Sequence, residues 1–210
     1  MIKLYYMLTK PGIIMGNLLT TGAGFLLASK GHFDLFLFLM TALSITCVIG
    51  SACVFNNYID RKCDRRMQRT KNRAFATGKV STIKALCFAV ILLAMGVTVS
   101  SVYINALVTL ISLTGFFIYV LMYSIWKYKS VNGTLIGSVA GALPPLIGYT
   151  AVTGQIDLGG ALLFSIIVLW QMPHFYAIAI YRLEDYTAAA IPVLPVKKGI
   201  YLTKVHMLFY

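Results

Sequence analysis

Leu35–Asp64 reads LFLFLMTALSITCVIGSACVFNNYIDRKCD, and its two parts make different demands. Leu35–Ile59 is 25 residues without a formal charge, more than the roughly 20 a helix needs to cross a bilayer core. The stretch then carries Asn56, Asp60 and Asp64, spaced four apart, which stack along one face of a helix. Packing in apolar surroundings has no use for three oxygen-bearing side chains in a row. Three hard oxygen donors on one stripe, with basic residues just beyond, suit a Mg2+ ion that carries a phosphate.

The rest of the chain has the same character. Of its 210 residues 59% are hydrophobic and 11% charged, against about 25% charged in an ordinary soluble domain. Uncharged runs recur at Pro11–Ser29, Ala85–Trp126, Ser130–Ile156 and Leu158–Tyr181. Ala85–Trp126 is 42 residues long, enough for two crossings. The expected fold is all-α, a polytopic bundle with six transmembrane helices at about 11–29, 35–57, 83–102, 104–125, 133–152 and 159–181. A seventh apolar segment starts near Gly199 and reaches Tyr210 without completing a crossing. The expectation is therefore one integral-membrane domain over 1–210, incomplete at its C-terminal end.

A net charge of +12 raises the question of nucleic acid, and its placement answers it. With the first helix entering from the cytoplasm, Lys3, Lys10, the loop 60–84, Lys127, Lys129, Arg182, Lys197, Lys198 and Lys204 share one side. Of the 18 Lys and Arg, only Lys30 falls on the other. That asymmetry makes the N-terminus and the long loops cytoplasmic, and no soluble module for nucleic acid is present. The N-terminal MIKLYYMLTKPG lacks the short apolar core and cleavage site of a signal peptide. Cys47, Cys53, Cys63 and Cys87 form no C-x-x-C pair and read as small buried packing residues.

Polar residues concentrate on the basic side. Residues 60–79 carry eight cations and two aspartates. Such a loop either rests on anionic lipid heads or, through the compact Arg69-Thr70-Lys71-Asn72-Arg73, grips a metal-bound diphosphate. Tyr123 and Lys127 end the fourth span, as interfacial anchors or as further diphosphate contacts. Trp170-Gln171-Met172-Pro173-His174-Phe175 lies mid-span; Pro173 is expected to kink the helix. His174 is either a polar residue satisfied inside the bundle or a contact to substrate, a porphyrin among the options. Gly133, Gly137 and Gly141 permit close helix packing, and Pro144-Pro145 is expected to interrupt the fifth span. Tyr181-Arg182-Leu183-Glu184-Asp185 echoes Asp60–Asp64 at the same end of a later span, as in a tandem repeat.

Together these residues resemble the UbiA-type intramembrane prenyltransferase superfamily and, within it, the bacterial branch that farnesylates protoheme IX (the heme O synthases). The resemblance rests on TKPG (9–12), NNYIDRKCDRRMQRTKNR (56–73), YSIWKYKSVNGTLIGSVAGALPPLIGY (123–149), WQMPHFYAIAIYRLEDY (170–186) and IPVLPV (191–196). It implies a nine-helix bundle around a cavity open to the membrane, in the bacterial inner membrane. The implied reaction joins farnesyl diphosphate to heme B, with Mg2+ as cofactor and heme as substrate. It further implies Asn56, Asp60 and Asp64 as the first metal motif and Asp185, with Glu184 near it, in the second. Arg69, Lys71, Arg73, Tyr123, Lys127 and Arg182 are the implied diphosphate contacts, and His174 and Tyr181 complete the substrate-binding set. Tyr181 departs from the pattern, since quinone-type relatives carry an aspartate there. The allylic cation formed when diphosphate leaves has aromatic faces to lean on, with Tyr58, Tyr119, Tyr149 and Trp170 as candidates.

Two other readings stay open: prenylation of a quinone-precursor ring, and a non-catalytic polytopic protein such as a transporter. A transporter would place ionisable groups near the bilayer midplane, whereas only Gln171 and His174 are polar there. Association with a terminal oxidase pathway is left open.

Overall fold

In lipid every backbone N–H and C=O has to be satisfied within the protein, which for continuous apolar runs means helices. The computed structural model describes residues 2–210, and the described residues form helices and turns without a strand. Six helical spans are long and apolar enough to cross a membrane. They are α2 Pro11–Ser29, α3 Leu35–Asp64, α4 Thr82–Tyr103, the composite Ala106–Trp126, α7 Gly133–Thr153 and α8 Leu158–Tyr181. The composite joins α5 Ala106–Phe117, a π-helical turn Ile118–Tyr123 and α6 Ser124–Trp126. Shorter helices are α1 Ile2–Leu8, α9 Leu183–Ala188 and α10 Leu194–Leu208. The chain is a multi-pass membrane protein.

Most span limits fall within two residues of the expected ones; α3 is the exception, running on past 57 to Asp64. Hydropathy ends where polar residues begin, but a helix ends only where its hydrogen bonding fails. The end of α3 therefore stays helical and keeps Asn56, Asp60 and Asp64 on one face. Far from this end, carboxylates serve as caps. Asp34 accepts from the Leu37 N–H at 2.9 Å and starts α3; Asp157 accepts from the Gly160 N–H at 3.0 Å and starts α8. The Gly160 N–H, and after it the Tyr149 hydroxyl, hold the Asp157 carboxyl below its ordinary range.

The tightest helix contact is between α2 and α7. A Cβ on Gly24 would overlap the Pro145 carbonyl, and one on Gly148 would overlap the Thr21 carbonyl. Only glycine lets the two backbones touch this way. Around the contact, Phe25, Ile45, Val108, Ile111, Leu146 and Ile147 pack as one buried cluster drawn from α2, α3, α5 and α7.

Two expectations need correction. α7 is not interrupted at Pro144-Pro145 but continues to Thr153. The two missing N–H groups strip helical donors from the Ala140 and Gly141 carbonyls, and both residues border the internal cavity described below. α8 carries Pro173 within a single helical element. The last helix, α10, opens with the short turn 194–198 and is broken at Gly199, whose φ of 82° and ψ of 165° are non-helical, so the apolar segment expected from near Gly199 starts after this break. Cys87 is exposed, not buried, and Cys63 is only half-buried; on a membrane-facing helix a thiol costs nothing on the outer surface. The N-terminal segment that carries Lys3 contains α1.

Gly148→Val is expected to cost about 1–3 kcal/mol or to prevent folding, read as a lower thermal midpoint in detergent. Gly22→Ala, where the nearest atom to the new Cβ is a Phe38 ring carbon at 3.7 Å, is expected to be neutral or stabilising.

Candidate active site

The polar end of α3 carries three oxygen donors that are almost completely buried: Asn56, Asp60 and Asp64 are 2%, 9% and 4% exposed. A buried carboxylate without a partner is too costly to persist, and each of the three meets a cation from a different element. Lys127, just beyond α6, places Nζ 2.6 Å from the Asp60 carboxylate, with the two side chains 11% and 12% exposed. The Tyr128 hydroxyl donates to the same carboxylate at 2.6 Å. Burial, and then the Asp60 charge, push the Tyr128 phenol well up. Arg73 Nη1 donates to both Asp64 oxygens at 3.0 and 3.1 Å. Lys10 Nζ donates to Asn56 Oδ1 at 2.6 Å.

Local structure explains why these groups meet. Lys10 sits in left-handed backbone, φ 54° and ψ 68°, between α1 and α2. For a non-glycine residue that conformation costs of order 1 kcal/mol. It turns the chain from α1 into the Pro11 start of α2 while the side chain enters the site. α1 is held in place from α3, since the Asn57 Nδ2 donates to the Leu8 carbonyl at 2.8 Å. Burial pushes the Lys10 ammonium down to about 8, with Arg73 and Lys127 acting the same way and Cys53 and Asp60 against. Asn56 Nδ2 donates to Ser124 Oγ at 3.2 Å, and that hydroxyl donates to the Tyr119 carbonyl across the π turn. The π turn also stacks Tyr119 on Tyr123, ring centroids 5.5 Å apart.

Residues 65–81 fold over the end of α3. Thr70 Oγ1 donates to the Asp64 carbonyl at 3.1 Å and Arg65 Nε to the Ala76 carbonyl at 2.7 Å. Met67 packs with Ala189 and Ile191, joining this segment to the one after α8. Asp185 Oδ1 accepts from the Gln68 N–H at 2.9 Å across the same junction.

Beneath this polar end lies a cavity of about 680 Å³, inside the range of pockets that hold small molecules. Lys10, Asn56, Asp60, Asp64, Arg69, Arg73, Tyr123, Lys127 and Tyr128 line it at the polar end. Ile45, Val48, Phe116, Leu143 and Ile147 line its apolar part. Trp170, Gln171 and His174 of α8 border it too. Trp170 and His174 stack at 5.0 Å with rings 12° apart and are exposed. His174 is therefore not a polar side chain satisfied inside the bundle, since among the described residues it has no hydrogen-bond partner. Gln171 is buried with Oε1 unpartnered. The glycine stripe of α7 does more than pack helices. Gly133 lies against the Lys127 backbone, Gly137 against the Tyr123 ring, and a Cβ on Gly141 would overlap the Gln171 amide.

Of the residues singled out from sequence, Asn56, Asp60, Asp64, Arg69, Arg73, Tyr123, Lys127 and His174 come together at the cavity. Lys71, Tyr181, Arg182, Glu184 and Asp185 are not among its lining residues. The reason for the second string is a helix break: α8 stops at Tyr181 and Arg182 has φ −109° and ψ 29° before α9. Tyr181, 77% exposed, consequently does not stack over Asp185; the Arg182 guanidinium lies 4.6 Å above its ring instead. Of the four aromatic candidates, Tyr119 and Trp170 border the cavity. Tyr58 packs on Phe75 beneath Arg61, and the Tyr149 hydroxyl is bonded to Asp157 at the far end. Sequence reading gave no role to Lys10, Ser124 or Tyr128. For Lys10 the signal was a lone cation directly before the first proline of a span, on the same side as the basic loop.

The donor set suits Mg2+ shared with a phosphate. It supplies one amide and two carboxylate oxygens, and Mg2+ characteristically takes one or two carboxylates and completes its shell with phosphate oxygens and water. No group of three or more His, Cys, Asp and Glu able to hold a metal unaided occurs among the described residues.

Residues 17–210 match the UbiA prenyltransferase family. The chain is 55% identical over 210 residues to a protoheme IX farnesyltransferase of Protochlamydia amoebophila, covering all of this chain and 74% of the relative. It is 55% identical over 211 residues to the protoheme IX farnesyltransferase of Yersinia pseudotuberculosis serotype O:1b, covering 72% of that protein. Among solved structures, a digeranylgeranylglyceryl phosphate synthase aligns with TM-score 0.79 at 22% identity, over 99% of this chain and 72% of that one. A UbiA homologue from Archaeoglobus fulgidus, bound to GPP and Mg2+, aligns with TM-score 0.79 at 20% identity over 98% and 72%. These likenesses establish the same fold.

Lys127→Met is expected to destabilise the protein by about 3 kcal/mol because it leaves the Asp60 charge buried and uncompensated. Adding Asp60→Asn is expected to recover most of the loss, read from thermal midpoints of the two single variants and the double.

Proposed function

Because the chain belongs to the UbiA prenyltransferase family, we propose that it transfers a farnesyl group from farnesyl diphosphate to a vinyl group of heme B, releasing diphosphate. The observation that carries this reading is the stripe of Asn56, Asp60 and Asp64, each within reach of a separate cation, at the mouth of an apolar cavity. The choice of heme B as acceptor is supported by the 55% identical relatives named protoheme IX farnesyltransferase and by the accessible Trp170–His174 stack, a flat surface beside the cavity.

Mg2+, when bound, neutralises the diphosphate and makes it a better leaving group. Asn56, Asp60 and Asp64 would hold it. Lys10, Arg69, Arg73 and Lys127 line the same polar end of the cavity, and charge-assisted hydrogen bonds from them to the remaining diphosphate oxygens would stabilise the negative charge as it develops. The C–O bond breaks with its electron pair leaving on diphosphate, and the farnesyl group becomes an allylic cation. Tyr119, Tyr123 and Trp170 line the cavity that holds it and supply aromatic rings to stabilise it. The apolar wall keeps water away until the vinyl carbon attacks. Water then adds to the resulting cation and gives up a proton, leaving a hydroxyethylfarnesyl substituent. Asp185 does not reach the cavity wall; its bond to the Gln68 N–H holds together the two segments that cover the polar end. The charge asymmetry supports a cytoplasmic position for that end, and the reading as a whole implies a bacterial inner membrane.

Purified chain given farnesyl diphosphate, heme B and Mg2+ is expected to yield farnesylated heme by mass spectrometry. Prenylation of 4-hydroxybenzoate with heme left unmodified would overturn the acceptor assignment. Asp60→Ala and Asp64→Ala are each expected to lower turnover at least about a hundredfold while the protein still inserts in the membrane, and chelation by EDTA is expected to abolish it.

A further inference from the structure

The three oxygen donors of α3 are already occupied. Lys10 is bonded to Asn56, Lys127 to Asp60 and Arg73 to Asp64, at 2.6, 2.6 and 3.0 Å. Mg2+ approaching this stripe alone meets three cations against two carboxylates. To bind, it has to break two ion pairs and strand a lysine and an arginine, in part-buried positions, without an anionic partner. Resting on the reading that Mg2+ and a prenyl diphosphate bind here, we propose that Lys10, Arg73 and Lys127 are exchangeable counter-ions that make metal binding depend on the diphosphate.

When the metal arrives with the diphosphate, the cations pass from the α3 oxygens to the phosphate oxygens as the α3 oxygens pass to the metal. Asp60, Asp64, Arg73 and Lys127 are then ion-paired both before and after binding and Lys10 keeps a hydrogen-bond acceptor throughout, so the exchange escapes the penalty that metal alone incurs. The three cations sit on unbranched side chains from three places: the turn before α2, the segment after α3 and the end of α6. Their exchange therefore draws three elements onto one ligand. Lys10 is the informative member, because its partner is an uncharged amide and its position is secured by strained backbone rather than by an ion pair. The reverse exchange, once diphosphate has lost its prenyl group, lets metal and diphosphate leave together.

The test is calorimetric titration of the detergent-solubilised chain with Mg2+ alone, and then in the presence of farnesyl thiolodiphosphate, which does not ionise readily. Wild type is expected to bind Mg2+ weakly alone and at least tenfold more tightly with the analogue. Lys127→Met and Lys10→Met are each expected to tighten binding of Mg2+ alone tenfold or more, about 1.4 kcal/mol, while weakening binding of the analogue. Damage to the fold would weaken both, and Lys10→Arg is expected to restore the wild-type pattern. If Lys127→Met fails to fold, Lys10→Met alone decides the matter. Equal Mg2+ affinity with and without analogue, or variants whose affinity for Mg2+ alone is unchanged or lower, would overturn the proposal. Farnesyl transfer to heme without this coupling overturns only the counter-ion exchange, whereas coupling without transfer to heme overturns only the acceptor.

Discussion

Two carboxylates, Asp60 and Asp64, are buried at the end of a membrane-spanning helix, and no charge can be left alone there. That constraint organises the whole basic end of the molecule. It draws Lys127 and Tyr128 in from the end of the fourth span and folds residues 65–81 back so that Arg73 reaches Asp64. The amide neighbours act in the same spirit: Asn56 takes Lys10, and Asn57 takes the carbonyl end of α1. Local costs, such as the left-handed backbone at Lys10 and the π turn before Ser124, are tolerated because the surrounding hydrogen bonds over-determine them.

The cavity depends on a second device, glycine used on two faces of α7. Gly148 brings the α2 backbone into contact, while Gly133, Gly137 and Gly141 accommodate Lys127, Tyr123 and Gln171. One helix thereby closes the bundle on one side and seats polar and aromatic groups of the cavity on the other. Pro144-Pro145 lies between these two faces and removes hydrogen-bond donors without breaking the helix.

What the sequence disclosed and what it hid follow from the same physics. Span positions were legible because transfer of uncharged residues into lipid is nearly additive along the chain. The α3 stripe was legible because its spacing of four matches the helical repeat. Tyr181–Asp185 has that spacing too, yet the helix stops between them, and periodicity says nothing where the backbone leaves the helix. Lys10 looked like any cation at a membrane interface; its meaning lies in a partner 46 residues away. Cys87 misled because on a lipid-facing helix the outside is as apolar as the inside, so apolar character no longer marks burial.

The α2–α7 contact also bears on the order in which the molecule is made. Gly24 and Gly148 are separated by more than half the chain, and the α3, α4 and α5 spans lie between them. As the chain emerges from its N-terminus, α2 has to reside in the bilayer without its closest neighbour until α7 is inserted. Lys10 stands at the head of α2, so the cavity and its polar mouth are assembled late, in a step of high contact order that follows insertion of the intervening spans.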